Sequence, residues 1–254
     1  MDPIILSDNR FLDGTPTATD TATGYDVLHI SDLREYTEWK AASSGTKYLT
    51  VDCATAHSAD ALGIASHNLG TASATVSVES SSNGSSWTER LAGFAPTTDK
   101  PILKTFTTAS ARYWRVKIVT GSVAAQVAVC VLGVRMEFPF GPDAPFTPYV
   151  LSAKAESNRS KSAITLGVNY QHRTVKIAPS WTSVPVAFVD DYFIPFLTDH
   201  ATKLEPFFFA ADLTAYPADA FFVALSEGAD AGTPKSNGVY YDRISLDLDG
   251  RWYE

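Results

Sequence analysis

The sequence predicts a mainly β protein: a β-sandwich or jelly roll followed by a second β-rich domain with one short or kinked helix. Three observations carry this. Apolar and polar residues alternate with period two at 48–53, 74–79 and 113–118, the mark of half-buried strands. Asn-Gly pairs at 83–84 and 237–238 stand beside β-prone runs, as tight hairpins require. Helical spacing, by contrast, is confined to one stretch.

Taken in order, residues 1–24 hold Asp-Asn, Asp-Gly and the Thr/Ala/Asp-rich TPTATDTATG. Side chains there compete for local backbone hydrogen bonds, so an extended arm is predicted. Residues 25–138 read as the first domain. Leu49, Val51 and Cys53 share one strand face and Tyr48, Thr50 and Asp52 the other. A second apolar run, Ala61 to Ala65, ends at His67-Asn68-Leu69-Gly70, read as a turn whose Asn and Gly tolerate left-handed angles. Trp114, Val116 and Ile118 point inward, with Arg115 and Lys117 outward. VAVCVLGV, residues 127–134, is almost continuously apolar, as in a central strand covered on both faces.

Four prolines within residues 138–148 deny both ladder hydrogen bonds and helix continuity, so residues 139–148 are predicted to be a stiff linker. The second domain is placed at 149–254. Phe188, Tyr192, Phe196 and His200 recur every four residues with Pro195 among them, which predicts a kinked helix. Phe207-Phe208-Phe209-Ala210 reads as a buried strand and residues 212–217 as a turn. Ile244, Leu246 and Leu248 alternate to close the domain.

Composition narrows the function. The chain of 254 residues is 45% hydrophobic and carries a net charge of −8, enough for real cores and unlike a nucleic-acid groove, which needs clustered cations. No apolar run reaches the length of a membrane span, and residues 1–11 lack the basic-then-apolar pattern of a secretory signal. Synthesis in a cytosol is therefore expected. Two cysteines, Cys53 and Cys130, read as buried reduced thiols, the alternative being a single bridge between them.

Catalytic and metal patterns are weak. His57 lies near Asp52, Ser58 and Asp60, but no Gly-x-Ser-x-Gly elbow accompanies it, so it reads as a loop histidine. No zinc spacing occurs, and Asp247-Leu248-Asp249-Gly250 reads as a turn. Asp190-Asp191 diverge around a helix axis and suit its N-terminal end. No catalytic residue, metal ligand or cofactor is predicted. Trp39, Trp87, Trp181 and the Phe207–Phe209 block read mainly as core. A loop tryptophan can stack on a sugar ring, and Trp39 and Trp87 are the candidate glycan-binding residues.

Trp39-Lys40-Ala41, Tyr48-Leu49-Thr50-Val51-Asp52, His67-Asn68-Leu69, Ser85-Ser86-Trp87, Ala111-Arg112-Tyr113-Trp114-Arg115-Val116 and Val131-Leu132-Gly133 occur in that order. Residues 39–137 thereby resemble the galactose-binding-like, discoidin-type jelly roll. The resemblance implies a sandwich that binds glycans or serves as a structural module, with no catalytic set. Pro195-Phe196, residues 205–210 and Tyr216-Pro217 are similar to the ring-forming portion of tail-tip proteins of long-tailed bacteriophages. Together the two resemblances imply a non-enzymatic structural protein of a phage tail tip or baseplate, located in the virion. Its partners would be further copies in a ring, six-fold by analogy, and tail tube and hub proteins. Ring contacts would use the N-terminal arm and edge strands of the second domain. The alternative implication is an adhesin or tail-fibre module recognising host surface glycans.

Overall fold

The structure, a computed structural model, describes residues 3–228 and 238–253. The first strands in chain order are β1 (Ile4–Leu6), β2 (Thr17–Ala18), β3 (Trp39–Lys40), β4 (Thr46–His67) and β5 (Thr75–Ser81). Then come β6 (Thr88–Phe94), β7 (Ile102–Val119), β8 (Gln126–Gly133), β9 (Met136–Glu137), β10 (Val150–Arg159) and β11 (Thr165–Ile177). The last are β12 (Ser180–Pro185), β13 (Phe207–Ala210), β14 (Phe221–Leu225), β15 (Tyr240–Ser245) and β16 (Leu248–Arg251). Two compact units result: Met1–Phe138 with Phe207–Phe221, and Pro139–Pro206 with Phe222–Glu254.

The first unit is a discoidin-like β-sandwich of the jelly-roll type, and two long strands generate both of its layers. β4 and β7 pair antiparallel along their lengths, with register shifts between Asp52 and His57 and between Ala59 and Ala61. At that bulge Ala54 takes a φ of 62°, and the extra residues bend the pair. One half, Thr46–Asp52 with Tyr113–Val119, joins β2 on one side and β5 and β6 on the other. The other half, Ala61–His67 of β4, pairs with β8, which carries β3 on its far edge. What the sequence shows as two apolar runs is therefore one bent strand. Its residues from both halves, including Leu49, Val51, Leu62 and Ile64, enclose one core with Trp39, Trp114, Val116 and Leu132. Cys53 and Cys130 are buried free thiols in that core. Desolvation pushes the Cys53 thiol up to about 11 and Cys130 higher still.

The strands β9, β1 and β13, paired antiparallel in that order, complete this unit. Phe208 lies against Gly63, where a Cβ would come within 2.5 Å of the ring. This explains the continuous apolar run in β8: the layer containing it is covered on its second face too. It also corrects two expectations. Residues from Pro3 onward are not a separate arm, since Ile5, Leu6 and Phe11 are at most 1% exposed and β1 and β2 are paired within the unit. Phe207–Phe221, assigned by sequence to the 149–254 domain, belongs with the first unit. The run pairs edge-on with β1 and packs a face of Phe208 on Gly63 of β4.

The turn at His67 differs in mechanism from the expectation. The left-handed residues are Ser66 and Ser73, not Asn68 or Gly70. Asn68 instead ties Gln126 N–H and the Ala124 carbonyl. Gly70 is required because a Cβ would meet the Thr98 backbone at 2.4 Å. The buried His67 accepts the Leu69 N–H at Nδ1 and donates from Nε2 to the Lys100 carbonyl; burial lowers its pKa. Val27–Ser31 is a 3-10 helix capped by Asp26.

In the second unit β10, β11, β16 and β14 pair antiparallel in that order, and β12 pairs with β15. Residues 139–148 form no regular element, and Asp143 anchors them by hydrogen bonds with Ser180 and Thr182. The predicted kinked helix is present as Val186–Phe188, a π turn at Val189–Phe193, and Ile194–Asp199. The wide turn, closed by Ile194 N–H on the Val189 carbonyl, adds a residue just before Pro195, which has no N–H to donate. That shifts the buried face from the predicted Phe188, Tyr192, Phe196 series to Val189, Phe193, Phe196 and Leu197. Asp190 accepts the Tyr241 hydroxyl at 2.7 Å. Ile244, Leu246 and Leu248 are all 1% exposed. The predicted Asn237-Gly238 hairpin falls at Asn237 outside the described residues.

β10 and β11 extend as a ribbon past the rest of their sheet, since β16 pairs only with Thr174–Ile177 of β11. Nearly all its residues are exposed, including Leu166, Val168 and Tyr170.

Candidate functional site

The two sequence-nominated tryptophans part company. Trp39 is fully buried, its Nε1 donating to the Asp20 carbonyl at 3.1 Å and Thr21 Oγ1 at 3.2 Å. It presents no ring face to a ligand. Trp87 is half-buried and lies on the outward face of the β4–β7–β5 layer, the face opposite the core.

Strand register assembles this face. Thr50 stands opposite Arg115, Asp52 opposite Tyr113, and Arg115 opposite Glu79. Because period-two alternation sends Leu49, Val51, Trp114 and Val116 inward, Tyr48, Asp52, Tyr113, Arg115 and Lys117 must point out. The hairpin between β5 and β6 then delivers Trp87. Ser81 Oγ accepts the Asn83 and Gly84 N–H groups, and Asn83 Oδ1 accepts those of Ser85 and Ser86. Gly84 takes the φ of 72° that this tip needs.

The centre of the face is a stack. The Arg115 guanidinium lies 3.8 Å from the Trp87 ring centroid and 4.0 Å from that of Tyr48. Beneath it Glu79, only 8% exposed, accepts from Arg115 Nε at 2.6 Å and faces Lys117 Nζ at 3.7 Å. The buried carboxylate fixes the guanidinium in its plane, and the two rings hold it by cation–π attraction. Alongside, Arg112 grips Asp52 through two 2.7 Å hydrogen bonds and covers Tyr113 at 4.8 Å. Those bonds pull the Asp52 pKa down to about 2. The result is a rigid face of ring edges, planar cations and carboxylates. Such a surface can pack against the C–H face of a sugar while its charged groups hydrogen-bond hydroxyls.

Other candidate chemistry is structural. His57 is in the β4 bulge, with Nδ1 3.2 Å from Arg10 and 3.4 Å from Asp13, and Nε2 2.9 Å from Thr55. Trp181 and Phe207, Phe208 and Phe209 are fully buried. Among the described residues no group of three or more His, Cys, Asp or Glu is placed to hold a metal. Two concavities lie elsewhere, of about 420 Å³ beside Arg135, Glu137 and Asp212 and about 460 Å³ beside His172, Asp249 and Arg251. Neither is lined by a Phe, Tyr or Trp ring. Sequence reading missed Tyr48 and Arg115 as site residues. Their outward position was legible in the alternation, but strand pairing, which brings them together, was not.

No known protein family matches the sequence, and no curated protein matches it. Solved structures similar to part of the chain include a pectin-binding carbohydrate-binding module, 21% identical over 46% of this chain and 88% of that one, at a TM-score of 0.41. CBM32 of AlyQ, in complex with 4,5-unsaturated mannuronic acid, is 23% identical over 46% of this chain and 92% of that one, at 0.40. A chitosan-binding module from a Paenibacillus chitosanase/glucanase is 20% identical over 50% of this chain and 98% of that one, at 0.39.

Proposed function

We propose that the first unit is a non-catalytic carbohydrate-binding module whose contact surface is the outward face around Trp87. One observation carries this: the Trp87–Arg115–Tyr48 stack, locked from below by the buried Glu79, on a face that the sandwich core does not need. A guanidinium held this way loses little freedom when a ligand arrives, which lowers the cost of binding. Aromatic and arginine side chains are also the commonest binding hot spots. The ligand class is an oligosaccharide presented on a surface, such as a host-cell glycan.

The test is a screen against neutral, amino and acidic polysaccharides, followed by calorimetry on whichever binds. Trp87→Ala and Tyr48→Ala should each weaken binding by about tenfold or more, equivalent to ~1.4 kcal/mol, with the melting temperature held. Undiminished binding in both variants would remove this face from the account. Release of reducing ends from any of these polysaccharides would overturn the non-catalytic part.

A second reading, a homo-oligomeric ring component of a bacteriophage tail tip or baseplate in the virion, rests on the sequence resemblance; the exposed apolar β10–β11 ribbon favours only its association part. Its test is co-purification with tail tube and hub proteins. Failure to join either would leave the carbohydrate-binding module alone.

A further inference from the structure

The β10–β11 ribbon is two-faced. Register places Ala155 opposite Tyr170 and Ser157 opposite Val168 on one face, which continues the face of the Leu151–Val175 pair. Lys154 opposite His172 and Glu156 opposite Asn169 occupy the other. Val175 is buried, but farther along the same face Leu166, Val168 and Tyr170 are 69%, 62% and 52% exposed. A two-stranded ribbon is marginal in water without a surface to cover its apolar side. Leu151 and Ile164, 47% and 63% exposed, add to this apolar surface, and large exposed apolar patches mark interaction sites.

Charge identifies what covers it. Residues 150–177 carry five Lys/Arg against one Glu, a net +4 in a chain of net −8. The rest of the sequence therefore carries −12. Within it, residues 26–38 hold four acidic side chains against one arginine and expose Tyr36 at 80% and Leu28 at 49%. This stretch matches the ribbon in both respects: acidic where the ribbon is basic, with apolar side chains projecting. We infer that the ribbon of one copy docks on the residue 26–38 surface of a second copy. Donor and acceptor surfaces differ, so the contact is head-to-tail and builds rings or chains of copies. The inference is independent of the carbohydrate reading.

Light scattering on the full chain over a concentration series, at low and high salt, tests it. The variants are Val168→Ser/Tyr170→Ser on the ribbon and Leu28→Ser/Tyr36→Ser on the acceptor. All four positions are exposed, and circular dichroism checks the fold. Wild type should self-associate, with affinity falling about tenfold or more as salt screens the charges. Each variant alone should be monomeric. Mixed, they should form a one-to-one dimer, because each keeps the surface the other lacks. A wild type that is monomeric throughout would overturn the inference. So would an acceptor variant that self-associates like wild type, which would mean ribbon-to-ribbon pairing. Monomeric wild type that co-sediments with phosphatidylglycerol vesicles through the ribbon would overturn it in favour of an anionic membrane.

Discussion

Arg112 and Asp52 show how the candidate face is tuned. Paired by two hydrogen bonds, the Asp52 carboxyl ionises at about 2 instead of 3.8. With the folded value below the unfolded one, the unfolded chain binds more protons between them. The pair's contribution is therefore complete above pH 3.8 and is lost as pH falls towards 2. Carboxyl NMR titration should find the Asp52 midpoint near 2 and return it towards 3.8 in Arg112→Ala; an unchanged midpoint would show that another group sets it. Much at this level was legible beforehand. Alternation correctly oriented Leu49, Val51, Trp114 and Arg115. It could not separate Trp39 from Trp87, because neither lies in an alternating run and only the three-dimensional packing decides which ring is enclosed.

Strands and turns were read well where one local rule decided them, and poorly where distant packing did. The Asn83-Gly84 turn formed where expected, through its own φ angle and side-chain hydrogen bonds, but within a longer loop from Ser82 to Trp87 and not as a tight hairpin. The bend in β4 was invisible: the residues left unpaired at its bulge, Cys53 to Ala56, carry no Gly or Pro, and the kink comes from the mismatch with β7. The helix was placed correctly, but the π turn before Pro195 moved its buried face by one residue. Gly63 was likewise silent in sequence, although β13 packs against it. Gly63→Ala should force the Phe208 ring aside and lower stability by about 1–3 kcal/mol, measured by urea unfolding. A stability equal to wild type would mean that β13 is not seated on this layer.

In the protein as a whole, mainly β architecture followed directly from periodicity and turn chemistry. Domain membership did not, since Phe207–Phe221 returns to the first unit after 68 intervening residues of the second, and contiguous reading cannot see such a return. Function was legible only as a choice between an assembly part and a glycan binder. The open aromatic face of the sandwich supports the glycan binder, while the basic, apolar ribbon supports the association proposed for the second unit. Fluorine NMR on protein labelled with 5-fluorotryptophan separates the three buried rings from the half-buried Trp87 and Trp252 during titration with a binding oligosaccharide. The account predicts that the Trp87 resonance, assigned by its loss in Trp87→Phe, shifts with saturation, while those of the buried Trp39, Trp114 and Trp181 stay in place. A saturable ligand that leaves the Trp87 resonance unmoved would contradict it.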